Sequence, residues 1–212
     1  MTLIEAYADV WCPFAHVGLR EALVRRRQVG LDDVPLRIRA WPLELVNGSP
    51  LDVATTAAHV AELRTQVAPD LFAGFDPEHF PTTTLPALAL GAAAYREGGT
   101  VGEAVGMALR DALFESGLDV SDPGVLDEVA RRYGVSPPVP ADYENVLAEW
   151  HHGEVRGVKG SPHFFCGELD VFCPSLDINR DDDAHLQLRR NTVALSAFLE
   201  DCREEPTPDG GD

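Results

Sequence analysis

The chain has 212 residues, of which 45% are hydrophobic, and its formal net charge is −18. This length allows one domain with an insertion or two small domains, and the composition is ordinary for a globular protein. The negative charge argues against nucleic acid as a partner, because phosphate backbones would be repelled, and no run approaches the ~20 apolar residues that cross a bilayer, which argues against a membrane partner.

The first predicted elements are a strand, a helix and a second strand. Residues 3–9 form an apolar run typical of a buried strand, residues 13–29 have apolar side chains at helical spacing, and residues 34–41 alternate. Strand, helix and strand at this spacing predict a βαβ unit with parallel strands and a right-handed crossover. Residues 43–51, which contain Asn-Gly-Ser-Pro, are expected to form a loop.

Cys12 lies where the first predicted strand ends and the first predicted helix begins. Pro13 suits the first helical turn, where its missing N–H costs nothing. A helix N-terminus offers free N–H groups and the positive end of the helix dipole, so we expect the pKa of Cys12 to lie well below that of a free thiol. The alternative is a buried cysteine that packs as a small hydrophobic residue. The strand–Cys–Pro–helix context favours a reactive thiol.

The middle of the chain has helical patterns almost throughout. We expect helices near residues 53–67, 85–98, 101–116, 123–133 and 140–152. Strand patterns return at 162–173, where a turn at Gly167-Glu168 predicts a hairpin. The amphipathic run 184–202 predicts a last helix, and residues 203–212 predict a disordered tail.

This order of elements predicts an α/β fold. Residues 1–51 and 153–202 would form one discontinuous domain with a sheet of the order β-α-β … β-β-α, and residues 52–152 would be an all-helical insertion.

The four cysteines lack the spacing of a zinc site, so we expect no metal. The absence of a Gly-x-Gly-x-x-Gly motif and of a P-loop argues against a nucleotide cofactor, and we expect no tightly bound cofactor. The first five residues lack the basic segment of a secretory signal, which predicts a cytoplasmic protein. Thiols are kept reduced in the cytoplasm, so we expect any disulfide to be transient.

Four segments of the sequence match the sequence pattern of one known family. They are Asp9-Val10-Trp11-Cys12-Pro13-Phe14, Trp41-Pro42-Leu43-Glu44-Leu45, Arg110-Asp111-Ala112-Leu113-Phe114-Glu115 and Gly157-Val158-Lys159-Gly160-Ser161-Pro162. In these segments, and over about residues 3–200, the chain resembles the DsbA-like branch of the thioredoxin-fold superfamily in its cytoplasmic form. The resemblance implies a thioredoxin-like sheet, a cis-proline at Pro162 facing Cys12, and thiol oxidoreductase activity on a small thiol or disulfide.

One departure from the family's pattern concerns the redox motif Cys-Pro-x-Cys, whose second cysteine is Ala15 here. A dithiol enzyme resolves its mixed disulfide with that second thiol, and alanine cannot do so. Three possibilities remain for Cys12. A small thiol such as glutathione or mycothiol resolves it as a co-substrate, another cysteine resolves it, or Cys12 binds a small thiol for non-redox chemistry.

The second possibility singles out Cys173. Counting outward from the predicted turn at Gly167-Glu168 places Cys173 opposite Pro162, at the active-site end of the hairpin. Cys166 would lie at the far end and Cys202 near the tail. The alternative for Cys173 is a packed, half-buried thiol.

Further candidate site residues surround Cys12. We expect six residues to bind substrate: Trp11, Pro13, Phe14, Ser161, Pro162 and His163. Asp9, His16 and His163 are candidates for proton transfer. A strand-end carboxylate, a histidine one turn beyond Cys12 or a histidine directly after Pro162 could act on the thiol's proton. The alternatives are a helix cap for Asp9 and a packing role for each histidine.

The leading functional hypothesis is a DsbA-like oxidoreductase that works through a single thiolate, as a monomer or homodimer. Kappa-class glutathione transferases and hydroxychromene-carboxylate isomerases are similar in architecture and carry Ser-Pro where this chain has Cys12-Pro13. They supply a second hypothesis, in which a thiol cofactor is bound for transfer or isomerisation. A third hypothesis is a non-catalytic binding protein that uses the cleft between sheet and insertion.

Overall fold

The computed structural model describes residues 3–181 and 185–204. Its main sheet has four strands in the order β2-β1-β3-β4. They are β1 (Ile4–Ala8), β2 (Leu36–Ala40), β3 (His163–Cys166) and β4 (Leu169–Phe172). β1 pairs with β2 in parallel and with β3 antiparallel, and β3 pairs with β4 antiparallel. The predicted βαβ unit and the hairpin are therefore confirmed.

Eight helices are described. They are α1 (Pro13–Gln28), α2 (Leu43–Val46), α3 (Val53–Gln66), α4 (Leu85–Arg96), α5 (Gly99–Phe114), α6 (Pro123–Tyr133), α7 (Pro140–Arg156) and α8 (Thr192–Glu204). A short 3₁₀ helix, Pro77–His79, precedes α4. α2 lies where the sequence predicted a loop, and α7 continues past residue 152, where the helical insertion was predicted to end. None of the described helices combines the length and the apolar character that crossing a membrane requires.

Local signals explain why the helices of the insertion form where they do. α6 is an example, because the Asp122 carboxylate accepts hydrogen bonds from the N–H groups of Gly124 and Val125. Pro123 occupies the first turn, and Gly134 ends the helix in the left-handed conformation at φ +66°. A capping side chain, a first-turn proline and a terminal glycine are all readable from sequence, so the predicted bounds 123–133 match the structure.

The predicted last helix was wrong in its first part. Residues Leu186–Arg190 form strand β6, which pairs antiparallel with β5 (Leu176–Arg180), and α8 begins only at Thr192. Leu186 and Leu188 are buried while their neighbours are exposed, which is the period of a strand. Pairing with β5 determines that this segment is a strand, and so short an apolar run does not distinguish a strand from a helix. The predicted tail 203–212 also needs correction, since α8 includes its first two residues, and 205–212 lie outside the described residues.

The sheet has two covered faces. α1 and α8 cover one face, where Leu19, Leu195 and Leu199 pack on Phe164. α7 covers the other, where Gly153 lies against Tyr7 and Trp41.

The structure contains a buried Cys166–Cys202 disulfide, whereas the sequence analysis expected only transient disulfides. The bond links the end of β3 to α8, and the two Cα atoms are 5.8 Å apart. Spacing could not reveal this bond, because the two cysteines are 36 residues apart.

Candidate active site

Cys12 lies at the junction between the sheet and α1. It is the N-cap residue of α1, and Pro13 follows in the first turn. Its thiol donates a hydrogen bond to the carbonyl oxygen of Ser161 over 3.1 Å, and the Ser161–Pro162 peptide bond is cis. Cys12 and the Ser161–Pro162 segment, which are 149 residues apart in sequence, therefore meet directly.

The electrostatics of Cys12 differ from the sequence-based expectation. Burial raises the pKa of the Cys12 thiol, and the charge of Asp9 raises it further, whereas hydrogen bonds from Ser161 and the N–H groups of Ala15 and Phe14 lower it. The prediction of a pKa well below that of a free thiol is therefore wrong for the buried Cys12 of this structure. Loss of hydration outweighs the amides and the dipole of the helix N-terminus, because only 5% of Cys12 is exposed.

Asp9 is fully buried and connects three segments around Cys12. Its carboxylate accepts hydrogen bonds from the N–H groups of Val10 and Leu43, each over 2.6 Å, and from the Thr84 hydroxyl over 2.7 Å. Its own N–H donates to Ser161 Oγ over 3.0 Å. Burial raises the pKa of Asp9 from 3.8 to about 6, although these hydrogen bonds to the carboxylate lower it. Asp9 therefore holds the loop that carries Cys12, and it does not cap α1.

Arg110 supplies a buried cation behind this loop. Its guanidinium donates to the carbonyl oxygens of Gly106, over 2.6 Å, and Asp9, over 3.2 Å. Burial lowers the pKa of Arg110 to about 10, while the negative charges of Asp9 and Cys12 raise it. The same interaction favours a negative charge on Cys12, which makes Arg110 part of the electrostatic setting of the thiol.

The ring of His16 contacts Glu115 and not the Cys12 thiol, on whose proton it was predicted to act. Its Nε2 lies 2.6 Å from a Glu115 carboxylate oxygen, and its ring packs between Phe72 and Phe114. Glu115 also accepts hydrogen bonds from the N–H groups of Phe72 and Ala73, over 3.0 and 3.2 Å. Partial burial raises the pKa of Glu115, but these donors hold it at about 2. Burial lowers the pKa of His16, so the neutral ring is favoured.

Replacing Glu115 by alanine is expected to cost about 2–3 kcal/mol of unfolding free energy, because the buried His16 N–H and two backbone N–H groups lose their acceptor. Chemical denaturation at pH 7 measures this loss. Glu128→Ala is the matched control, since its ion pair with Arg131 on α6 is largely exposed and should contribute less than about 0.5 kcal/mol. Equal losses in the two variants would contradict the structural role of Glu115.

The residues predicted to bind substrate differ in accessibility. Trp11 is fully buried and stacks on Phe80 with ring centroids 5.8 Å apart, so it supports the site from below its surface. Pro13 and Pro162 are buried as well, whereas Phe14 and Ser161 are partly exposed. Phe14 lies 5.2 Å from the ring of His59 on α3, a residue that the sequence analysis did not single out.

His163 lies on the face of the sheet that points away from Cys12. Along β3, His163 and Phe165 share one face, and Phe164 packs on the α1 side with Cys12. The His163 ring accepts a hydrogen bond from the Lys159 N–H over 3.1 Å at Nδ1, so Nε2 carries the hydrogen that reaches Asp170, 2.8 Å away. These contacts fix the loop before Pro162 and leave the imidazole 1% exposed.

Cys173 lies beside Pro162, as the strand counting predicted. The pairs run from Cys166 with Leu169 to His163 with Phe172, and the Cys173 N–H donates to the Pro162 carbonyl oxygen over 2.9 Å. Burial, followed by the charge of Cys12, raises the pKa of Cys173 to about 12.

The sequence analysis gave no role to four residues of the site, although Arg110 and Glu115 lie in one of the segments that carry the family resemblance. Arg110, Thr84, Glu115 and His59 act through contacts with segments far away in the chain. Arg110 had a detectable signal, because it lies on the apolar face of a helix four residues after Gly106 and close to Leu109 and Leu113. Within residues 3–181 and 185–204, no cluster of three or more His, Cys, Asp or Glu side chains could hold a metal ion.

The fold of the chain is found in solved structures. A probable DsbA oxidoreductase from Streptomyces coelicolor superposes with a TM-score of 0.69 at 18% identity, over 98% of this chain and 92% of that one. Cytosolic disulfide reductase DsbM from Pseudomonas aeruginosa, in a structure with GSH, gives 0.56 at 13% identity, over 95% and 96%. A 2-hydroxychromene-2-carboxylate isomerase gives 0.59 at 15% identity, over 80% and 88%. At these identities each likeness concerns the fold alone.

Sequence comparison assigns the family. No curated protein matches the chain significantly. A family model for the DSBA-like thioredoxin domain matches residues 3–176, which is most of the chain and includes Cys12, Pro162 and Cys173. The chain therefore belongs to the DSBA-like thioredoxin domain family.

Proposed function

We propose that the chain is a thiol-disulfide oxidoreductase that acts through the single thiolate of Cys12. The observation that carries this proposal is the position of the Cys12 sulfur. It lies at the N-terminus of α1, beside the positive end of the helix dipole, and it contacts the Ser161 carbonyl oxygen next to the cis-proline Pro162. A helix N-terminus stabilises a thiolate formed there, and an exposed backbone edge at the cis-proline can position a disulfide for attack.

In the proposed reaction, Cys12 loses its proton and attacks one sulfur of a small disulfide. A bond forms between Cys12 Sγ and that sulfur, the original disulfide breaks, and the other half leaves as a thiolate that takes up a proton. The N–H groups of Ala15 and Phe14 and the side chain of Ser161 lower the pKa of Cys12 and so favour the attacking thiolate. The Ser161 hydroxyl accepts the Asp9 N–H, which leaves its own hydrogen available for Cys12.

The high pKa of Cys12 gives this mechanism a pH dependence. Few thiolates exist at neutral pH because burial raises the pKa, but each one is a stronger nucleophile than a thiolate of low pKa. We therefore expect the rate of mixed disulfide formation to rise with pH through 7 and beyond 8.

A low-molecular-weight thiol, glutathione or mycothiol, is the proposed co-substrate that returns Cys12 to the free thiol. Ala15 supports this part of the proposal, since it removes the neighbouring thiol that would otherwise resolve the mixed disulfide. The structure of DsbM with GSH gives a precedent for a small thiol on the same fold. We include a cytoplasmic location in the proposal because small thiols are abundant in the cytoplasm. The Cys166–Cys202 disulfide is more typical of an oxidising compartment.

A second candidate function is that of a transferase or isomerase with a bound thiol cofactor. The similarity in fold to a 2-hydroxychromene-2-carboxylate isomerase favours it, as does the missing second cysteine of the motif. Such an enzyme would bind glutathione or mycothiol without forming a disulfide to Cys12.

Intact mass spectrometry after incubation with glutathione disulfide or oxidised mycothiol tests the proposal. We expect either a small-thiol adduct on Cys12 or, where a second thiol of the chain displaces the small thiol, an internal disulfide that includes Cys12. Either product should form faster at pH 8.5 than at pH 7 and be absent from Cys12→Ser. Cys202 and Cys166 provide an internal control, because their disulfide should stay intact. Saturable binding of the reduced thiol with no covalent change at Cys12 would instead support the second candidate.

A further inference from the structure

Two free thiols remain in a chain that has lost the second cysteine of its motif. Of the four cysteines, Cys166 and Cys202 form a disulfide, and Cys12 and Cys173 are free and buried. The two free cysteines are 161 residues apart in sequence, and counting along the predicted hairpin indicated that they lie at one place in the fold.

The Ser161–Pro162 segment brings both free cysteines together. The Cys12 thiol is hydrogen-bonded to the carbonyl oxygen of Ser161, and the Cys173 N–H is hydrogen-bonded to the carbonyl oxygen of Pro162. Consecutive carbonyl groups therefore contact the two residues. Cys173 directly follows β4 and packs in the apolar cluster that also contains Val10, Trp11 and Val17, residues that lie on either side of Cys12 in the sequence.

The backbone of Cys173 is unusual for a residue with a side chain. Its φ is +45°, in the left-handed region that glycine adopts without steric cost. Glycine would complete this turn more easily, so the side chain at position 173 has a steric cost that the turn itself does not require.

The charges of the two thiols are also coupled. Burial is the main cause that raises the pKa of Cys173 to about 12, and the negative charge of Cys12 is the second. The two sulfur atoms therefore lie close enough for the charge of one to affect the other. In a mixed disulfide Cys12 carries no charge, so only burial then opposes the ionisation of Cys173.

We propose that Cys173 is the resolving cysteine of this chain, in place of the residue that Ala15 replaces. This inference rests on the proposed function and adds a step before the small thiol acts. The Cys173 thiolate attacks Cys12 Sγ in the mixed disulfide, the Cys12–Cys173 bond forms, and the bound half of the substrate leaves as a thiolate that is then protonated. Two molecules of a small thiol later reduce the internal disulfide and become one small disulfide.

Peptide mapping after addition of glutathione disulfide tests this step. The wild-type chain, Cys173→Gly and Cys173→Ser are compared, because glycine suits the left-handed backbone and serine keeps the size of the side chain. We expect a Cys12–Cys173 cross-linked peptide in the wild type and only a short-lived glutathione adduct. Both variants should keep the adduct on Cys12 for at least about ten times longer, since no internal thiol removes it.

Two results would overturn the inference and leave the proposed function intact. One is an adduct on Cys12 that lasts equally long in the wild type and in both variants. The other is a bridge from Cys12 to Cys166 or Cys202, with no link to Cys173. Failure of every chain to form any adduct or bridge at Cys12 would overturn the proposed function and this inference together.

Discussion

Replacing Ala15 by cysteine is expected to create a dithiol site beside Cys12. Ala15 is fully buried in the first turn of α1, three residues after Cys12. In the Cys173→Ala background, the added thiol should resolve the Cys12–glutathione disulfide at least about a hundredfold faster than millimolar glutathione does, because a positioned group acts at a much higher effective concentration. Quenched-flow sampling with intact mass spectrometry measures this rate.

Ala15→Ser in the same background is the matched control, because its hydroxyl oxygen takes the place of the cysteine sulfur and cannot form a disulfide. Since residue 15 is buried against the sheet, both substitutions should cost about 1–2 kcal/mol of stability, which thermal unfolding would report. Equal rates of resolution in the cysteine and serine variants would mean that Cys12 is not the sulfur that carries the substrate.

Asp9 is expected to make the chain less stable as pH rises from about 4 to about 7. Its pKa is about 6 in the folded chain and 3.8 ordinarily, so between these values the folded state binds more protons than the unfolded state. Stability is therefore greatest at the low end of this window and is lost as pH rises through 6. The shift corresponds to about 3 kcal/mol at pH 7 for this buried group.

Urea denaturation of the wild type and Asp9→Asn at pH 4, 5, 6 and 7 measures this contribution. The hydrogen bonds that asparagine loses add a roughly constant cost, so the change in the difference between the two chains across pH is the relevant quantity. Asp52→Asn is a control for the sign, because a hydrogen bond from Thr55 lowers the pKa of Asp52, and its smaller effect should run the opposite way. A difference that stays flat across this pH range would contradict the buried charge of Asp9.

The elements that the sequence predicted correctly are those with local signals. α1 follows from Pro13 and its apolar spacing, and α6 from Asp122, Pro123 and Gly134. The strand β6 lacked such a signal, because Leu186–Arg190 gains its hydrogen bonds from β5 and from the side chain of Gln66. Short apolar runs of this kind adopt the structure that their distant partners allow.

The residues of the candidate site likewise include some that the sequence could predict and some that it could not. Cys12, at a strand–helix junction, and Pro162 could be proposed from residue type and position, and counting along the hairpin placed Cys173 beside Pro162. The ionisation of Cys12 could not be foreseen, because it depends on how much water reaches the sulfur. The partner of His16 and the face occupied by His163 depended on α5 and on the pairing of β3.

The sequence by itself therefore determined the family, the order of most elements and the single cysteine at the start of α1, since these depend on near neighbours in the chain. Only the tertiary structure decided the burial of Cys12 and the network of Asp9 and Arg110 behind it. The reason is physical: hydration and charge at an atom are set by every group that surrounds it, and some of those groups, such as Arg110 and Ser161, come from segments distant in the chain.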